Sequence, residues 1–256
     1  MHRLFLPPDQ FSGETATIVG SDHQHLTRVL RARAGDTVTL LDNRGNAFQA
    51  VLVTIGKAET TARIEGRVEL PPEPPVAITV AQALGKGDKF EQVVQHGTEA
   101  GASAFVPVRA ERCVADIPAG KIAERVARWQ QIAKGAAEQS GRARIPEVAA
   151  PVTFAELLRE AERQPALLLH PTEEALPLAA FLRGLTERPS ALLLAVGPEG
   201  GWSPAEVSAA RAANLVPVRI GPRILRTETA ALVALSQILY EFEFTPPLEN
   251  RTSCVS

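Results

Sequence analysis

The 256-residue chain carries 27 Lys and Arg against 29 Asp and Glu, a formal net charge of −2, with 45% hydrophobic and 22% charged residues. That composition is globular, leaves room for one large domain or two ordinary ones, and argues against a uniformly basic nucleic-acid binder. Cys113 and Cys254 are far apart, so they supply neither a disulfide framework nor metal-ligand spacing, and they suit a reducing compartment.

The start, Met-His-Arg-Leu-Phe-Leu-Pro-Pro, lacks the long apolar core of a signal peptide. No apolar run reaches the roughly 20 residues that cross a bilayer. The expectation is a cytoplasmic protein with no membrane partner. A short helix is expected from Asp22 over His23–Arg31. His23 and His25 stand two apart and face different directions on it, so no metal is expected there. Thr37–Leu40 and Phe48–Val53 read as strands, joined by the hairpin turn Asp42-Asn43-Arg44-Gly45-Asn46. Residues 1–70 therefore read as a small β-barrel. Pro71-Pro72-Glu73-Pro74-Pro75 is a stiff extended linker and the clearest domain boundary. A second domain is expected over 76–246, followed by a tail over 247–256.

After the linker, strand and helix patterns alternate. Val76–Leu84 reads as a strand, and Asp88 and Glu91 open a helix with Phe90, Val93, Val94 and Gly97 on one face. Ala104–Val108 is a strand. Ile122, Val126, Trp129, Ala133 and Ala136 form a helical stripe. Thr153 and Glu156 start a helix that Pro165 ends. Leu167–His170, Ala191–Val196 and Leu215–Ile220 are strands. Thr229–Tyr240 is apolar nearly all round and must be buried in a core or an interface. The alternation predicts an α/β fold with a mostly parallel sheet.

Two segments of this domain stand out. Leu194-Ala-Val-Gly-Pro-Glu-Gly-Gly-Trp-Ser203 and Arg219-Ile-Gly-Pro-Arg-Ile-Leu-Arg-Thr-Glu-Thr-Ala-Ala231 each run from a strand through a turn rich in Gly and Pro into a helix. Strand ends of this kind are where open α/β sheets bind small molecules. Gly197, Gly200, Gly201 and Gly221 let backbone amides approach a ligand closely. Ser203, Pro204 and Glu206 form an N-cap and capping box, Trp202 and Val207 a hydrophobic staple, and Asn214 a left-handed stop. Neither segment is a dinucleotide fingerprint or a P-loop, because the glycine spacing of both is absent.

Gly197-Pro198-Glu199-Gly200-Gly201-Trp202 and Ile224-Leu225-Arg226-Thr227-Glu228-Thr229-Ala230 resemble the signature loops of the 16S ribosomal RNA uridine-N3 methyltransferases of the SPOUT superfamily. The resemblance covers nearly the whole chain. It includes His25-Leu26-x-x-Val29-Leu30-Arg31-x-x-x-Gly35-Asp36, Gln82-Ala83-Leu84-x-Lys86-Gly87-Asp88-Lys89, Glu111-Arg112, and Ala136-x-Glu138-Gln139-Ser140-x-Arg142 with Pro146. Where that family has Lys-Ala-Thr-Glu-Leu-Gly, this chain reads His96-Gly97-Thr98-Glu99-Ala100-Gly101.

The resemblance implies a SPOUT-type parallel sheet with a C-terminal trefoil knot, an N-terminal PUA-like β-barrel, and S-adenosylmethionine as cofactor without a metal. It implies a cofactor pocket from His170, Pro171, Val196, Gly197, Pro198, Glu199, Gly200, Gly201, Ile220, Gly221, Leu225, Arg226, Thr229 and Ala230. The partners implied are 16S rRNA of the small ribosomal subunit and a second copy of the chain. Loss of the uridine N3 proton requires a stabilising cation and an acceptor, for which Arg226 and Glu228 are the candidates. Arg226 has the alternative of holding a phosphate, and Glu228 of capping its helix. Glu199 binds the cofactor amine or anchors its turn, and His170 lines the site or simply ends its strand.

Between Arg109 and Arg144 there are eight Lys or Arg and four Asp or Glu, while Ile145–Asn214 has five Arg and nine Glu. A local RNA-binding face is thus compatible with the overall charge. Its candidates are Arg3, Arg28, Arg31 and Arg33 on the small domain, and Arg109, Arg112, Arg142 and Arg144 on the large one. Because Thr229–Tyr240 has too little polar surface for an exposed helix, and SPOUT proteins typically pair through such elements, light scattering is expected to give about twice the monomer mass; a clean monomer at micromolar concentration would refute this.

Overall fold

The computed structural model describes residues 2–115 and 117–243. The tail expected over 247–256, and Cys254 with it, lie outside the described residues. The chain divides into two units. The first holds the residues before Pro74 together with Lys134–Ile145; the second holds Pro74–Ala133 and the described residues from Pro146 on.

In the first unit, β1 (His2–Phe5), β2 (Phe11–Ser12), β3 (Thr15–Val19), β4 (Thr37–Leu41), β5 (Ala47–Ile55) and β6 (Glu59–Val68) form one sheet in the order β1-β4-β5-β6-β3-β2. Only the β1–β4 pair is parallel. Among the described residues no ladder joins β1 to β2, so the expected barrel is a six-stranded sheet with two free ends. Leu4, Leu6, Ile18, Leu26, Leu40 and Leu52 are its core. The expected helix begins earlier than Asp22. α1 (Gly20–Gln24) leads into one wide turn, His25–Val29, and the chain leaves through Arg31 at φ 53°. His23 is buried with its Nδ1 2.9 Å from the Thr60 hydroxyl, which gives that ring nitrogen a partner inside the core. In the β4–β5 turn the Asp42 carboxylate accepts from the backbone N–H of Arg44 and Asn46.

Residues 134–145 join this unit through side chains no strand pattern announces. Lys134 pairs with Asp22 at 2.6 Å, Glu138 accepts the Phe5 N–H at 2.9 Å, and Ala137 packs with Phe5, Leu41 and Ala47. Glu73 accepts the backbone N–H groups of Ala143 and Arg144 and the Arg142 guanidinium.

The second unit runs β7 (Ala77–Ala83), α2 (Lys89–Ala100), β8 (Ala104–Arg109), α3 (Ile122–Ser140, whose last residues belong to the first unit), β9 (Glu147–Val148), β10 (Val152–Thr153), α4 (Phe154–Ala161), β11 (Ala166–Leu169), β12 (Leu176–Pro177), α5 (Leu178–Arg183), β13 (Ala191–Val196), α6 (Pro204–Ala212), β14 (Leu215–Arg219) and α7 (Thr227–Glu243). Its sheet is parallel throughout, in the order β10-β8-β7-β13-β11-β14-β12, with β9 also on β8. The central strands are buried along their length, as expected where helices cover both faces. β13 lies between β7 and β11, and β14 lies on the other flank of β11. The carboxyl ends of β11, β13 and β14 therefore open side by side. No helix of the described residues is long and apolar enough to cross a membrane.

Gly97 sits on the buried face of α2, where an added Cβ would lie 2.7 Å from the Phe105 ring. Phe105 is fully buried and cannot retreat. Gly97→Ala is expected to destabilise the fold by about 1–3 kcal/mol despite the better helix propensity of alanine. The urea midpoint should fall at constant slope, and Phe105→Leu in the same chain should recover part of the loss; an unchanged midpoint would refute the close packing.

Candidate active site

A cavity of about 410 Å³ opens at the carboxyl ends of β11, β13 and β14. It is walled by Leu169, His170 and Pro171 after β11, by Val196, Gly197, Pro198, Glu199, Gly201 and Trp202 after β13, and by Val218, Arg219, Ile220 and Gly221 at the end of β14. The loop into α7 adds Arg223, Ile224, Leu225, Arg226, Thr227 and Ala230, and Lys89 from α2 completes the wall. The structure brings together most of the cofactor residues expected from sequence. Gly200, Glu228 and Thr229 are not on the wall. The Gly200 carbonyl instead accepts from the Arg112 guanidinium at 3.0 Å. Lys89, Leu169, Trp202, Val218, Arg219, Arg223, Ile224 and Thr227 line the cavity without having been assigned to it. Lys89, Trp202, Ile224 and Thr227 stood within the matched motifs; position in a motif does not tell which side chains face inward.

Three ties hold the loops. The Thr227 hydroxyl donates to the Gly197 carbonyl and accepts from the Gln82 amide at 2.8 Å, joining the start of α7, the end of β13 and the end of β7. The Trp202 indole N–H donates to the Leu169 carbonyl at 3.1 Å, fastening the loop after β13 to the end of β11. A Cβ at residue 197 would come within 3.1 Å of that indole, so any larger residue would push the ring back by a few tenths of an ångström from the strand end. The third tie is the capping box of α6. Ser203 accepts the Glu206 N–H while one Glu206 oxygen returns to the Ser203 N–H and the other takes the Glu111 N–H at 2.8 Å.

The charged side of the cavity is built around Lys89. Its ammonium lies 2.8 Å from Glu199 Oε1 and 3.8 Å from Glu228 Oε2. Glu199 also accepts the Lys86 N–H at 3.2 Å, so it does anchor its turn. The hydrogen bond to Glu199 raises the Lys89 pKa above the usual lysine range. Partial burial pushes Glu199 upward, but its hydrogen bonds with Lys89 and backbone N–H groups outweigh this and hold it below the usual carboxylate range. Glu228 Oε2 is buried without a hydrogen-bond partner. Glu228 is a neighbour of Lys89 that is not among the residues walling the cavity. His170 does line the wall, and burial, aided by Arg211, depresses its pKa. Arg226 is exposed at the rim, and Ile224 beside it is 86% exposed.

The arginines expected to meet RNA have unlike surroundings. In the first unit Arg28, Arg31, Arg33 and Arg144 are exposed. Arg3 is half-buried against Gly141 and reaches the Gln139 carbonyl at 3.4 Å. Arg142 and Arg144 belong to this unit and not to the larger domain, and Arg142 is committed to Glu73, its side chain 10% exposed. In the second unit Arg112 is exposed, while Arg109 is half-buried and donates to the Ile117 carbonyl at 3.3 Å. Among the described residues no group of His, Cys, Asp and Glu could hold a metal ion.

The family model for an RNA methyltransferase domain matches residues 72–239, and that for an RNA methyltransferase PUA domain matches residues 20–65. The fold and the cavity are therefore those of an RNA methyltransferase with a PUA domain. The relatives narrow the class. Ribosomal RNA small subunit methyltransferase E of Synechocystis is 38% identical over 93% of this chain and 77% of its own, and that of Bacillus subtilis 35% identical over 90% and 91%. The crystal structure of ribosomal RNA small subunit methyltransferase E from Neisseria gonorrhoeae bound to S-adenosyl methionine superposes with a TM-score of 0.83 and 34% identity over 93% of this chain and 96% of that one. The chain belongs to the ribosomal RNA small subunit methyltransferase E family.

Thr227→Val keeps the shape of the buried side chain but leaves the Gly197 carbonyl and the Gln82 amide without their shared partner. It is expected to cost about 1–3 kcal/mol. Thermal unfolding should show a lowered midpoint for Thr227→Val and a midpoint near the parent for Thr227→Ser; equal midpoints for all three would remove the hydroxyl from its role.

Proposed function

We propose that this chain methylates N3 of a uridine in 16S rRNA of the small ribosomal subunit, with S-adenosylmethionine as methyl donor, acting as a cytoplasmic homodimer. The observation that carries the reading is the cavity at the strand ends, apolar on the β-strand side, charged around Lys89 and rimmed by Arg226, in a chain of this family. Its volume of about 410 Å³ falls in the range of small-molecule sites. Val196, Ile220 and Leu225 offer the apolar slot an adenine needs, and the backbone of the Gly197–Gly201 loop offers hydrogen bonds at its edge. On the same reading the loops after β13 and β14 are threaded as a C-terminal trefoil knot. The place of β13 between β7 and β11 supports this.

S-adenosylmethionine supplies a methyl group on a sulfonium, ready for attack by a nitrogen lone pair. This chain has to orient the base and steady the charge that N3 acquires on losing its proton. Arg226, exposed at the rim, is the residue given that task, its fork matched to an anionic oxygen. Glu228, 3.8 Å from the Lys89 ammonium at the start of α7, is the candidate acceptor for the N3 proton. RNA capture falls to Arg28, Arg31, Arg33 and Arg144 on the first unit and Arg112 on the second, each phosphate contact adding a salt-dependence slope of roughly −0.7 to −0.9.

Small subunits lacking the modification, incubated with protein and cofactor, test the reaction directly. N3 methylation blocks the Watson–Crick edge, so reverse transcriptase should stop or misread at one uridine while alkali still cleaves beside it. An alkali-resistant site read normally would replace this reading with ribose 2′-O-methylation. In the same assay Arg226→Ala should lower turnover on the order of a hundredfold with cofactor affinity retained; loss of cofactor binding would give Arg226 to the cofactor instead.

A further inference from the structure

A uridine presents N3 only on its Watson–Crick edge, which faces a partner base in a helix. A cavity at the ends of β11, β13 and β14 can take that edge only after the base has left its stack. Turning a base out leaves a gap between its neighbours, and closing that gap returns the base to the stack. An apolar side chain that fills the gap holds the base out.

The loop from β14 into α7 carries such a side chain. Ile224 is 86% exposed, more than any other large apolar residue among those described, although it lies on the cavity wall. An isoleucine left in water is ordinary by itself; this one stands two residues before Arg226, the residue given to the uracil. Its neighbours divide the loop between them. Thr227 is buried and tied to Gly197, and Leu225 is half-buried on the wall. Arg223 and Arg226 are exposed on either side of the pair. Two exposed guanidiniums about an exposed apolar group suit a polyanion with stacked bases, the cations meeting phosphates and the apolar group a base face. Branching at Cβ restricts χ1, so the isoleucine has little rotamer freedom to lose on entering a stack.

We propose that Ile224 is a wedge that enters the RNA stack in the place of the target uridine, while Arg223 holds a neighbouring phosphate. Ile224 is thus a positioning residue, and its role rests on the reading of this chain as a methyltransferase acting on uridine N3 of rRNA.

Kinetics on small subunits lacking the modification test it. Ile224→Ser should lower kcat about tenfold or more with KM for the subunit changed by less than about threefold, because the base is turned out after the RNA has bound. Ile224→Leu keeps an apolar wedge and should retain at least about half of the parent kcat. Both variants should match the parent in S-adenosylhomocysteine affinity and in mass by light scattering. The place of contact has its own readout. p-Benzoylphenylalanine set at residue 224 and irradiated on the subunit should cross-link to a nucleotide beside the one where methylation stops reverse transcriptase. A parent-like kcat in Ile224→Ser overturns the proposal, as does a loss carried by KM, a changed mass or a loss of cofactor binding in that variant. So does an Ile224→Leu variant as slow as Ile224→Ser, or a cross-link to a second copy of the chain, to a remote nucleotide or to nothing. If the unaltered chain leaves no N3 methylation on the subunit, the reading of the reaction itself fails; if it does and Ile224→Ser is as fast, the wedge alone falls.

Discussion

One buried hydroxyl constrains most of the site. Thr227 has a single proton, which goes to the Gly197 carbonyl, and its oxygen takes the Gln82 amide in return. Gln82 stands opposite Val196 in the β7–β13 ladder, so the tie falls where the sheet ends and the loops begin. The two glycine-rich loops are thereby held to each other and to a strand outside either loop. A carbonyl buried at that point without a donor would carry its full desolvation cost, which makes the arrangement close to all-or-none. Trp202 adds the second fixed point: its indole reaches the last carbonyl of β11 while packing closely over Gly197.

On that frame the chemistry is divided by origin. Apolar wall residues come from the ends of β11, β13 and β14, where a parallel sheet covered on both faces already requires them. Apart from Arg219, the last residue of β14, charged wall residues come from the ends of helices and from turns, where backbone N–H groups are available to hold carboxylates ionised. Glu199 is held low in this way by Lys89 and backbone donors, and Lys89 is held high in return. A preorganised pair of this kind meets a ligand without having to rearrange.

The basic side chains illustrate how composition and role separate. Arg142 is as basic as Arg144, but its guanidinium is turned onto Glu73, whose other oxygen fixes two backbone N–H groups of the same segment. Such a pair holds residues 134–145 within the first unit, and removing either partner would leave a largely buried charge alone. Arg28, Arg31, Arg33 and Arg112 lie exposed, where a phosphate can be met at little desolvation cost.

The sequence by itself determined the local structure and the family. The α/β alternation, the strands Ala104–Val108 and Ala191–Val196, the capping boxes at Thr153 and Ser203 and the left-handed stop at Asn214 all depend on neighbours a few residues apart, so they are legible in one dimension. The glycine-rich loops marked the cavity for the same reason. Only the tertiary structure decided the strand order, the membership of residues 134–145 in the first unit, the open ends of its sheet and the burial of His23. It also decided that Lys89 belongs to the cavity wall, that Glu228 approaches Lys89 and that Arg142 is spent on Glu73. Each of these is a pairing across tens of residues or more, fixed by which hydrogen bonds and charges meet once the sheets are built, and no periodicity in the chain encodes it.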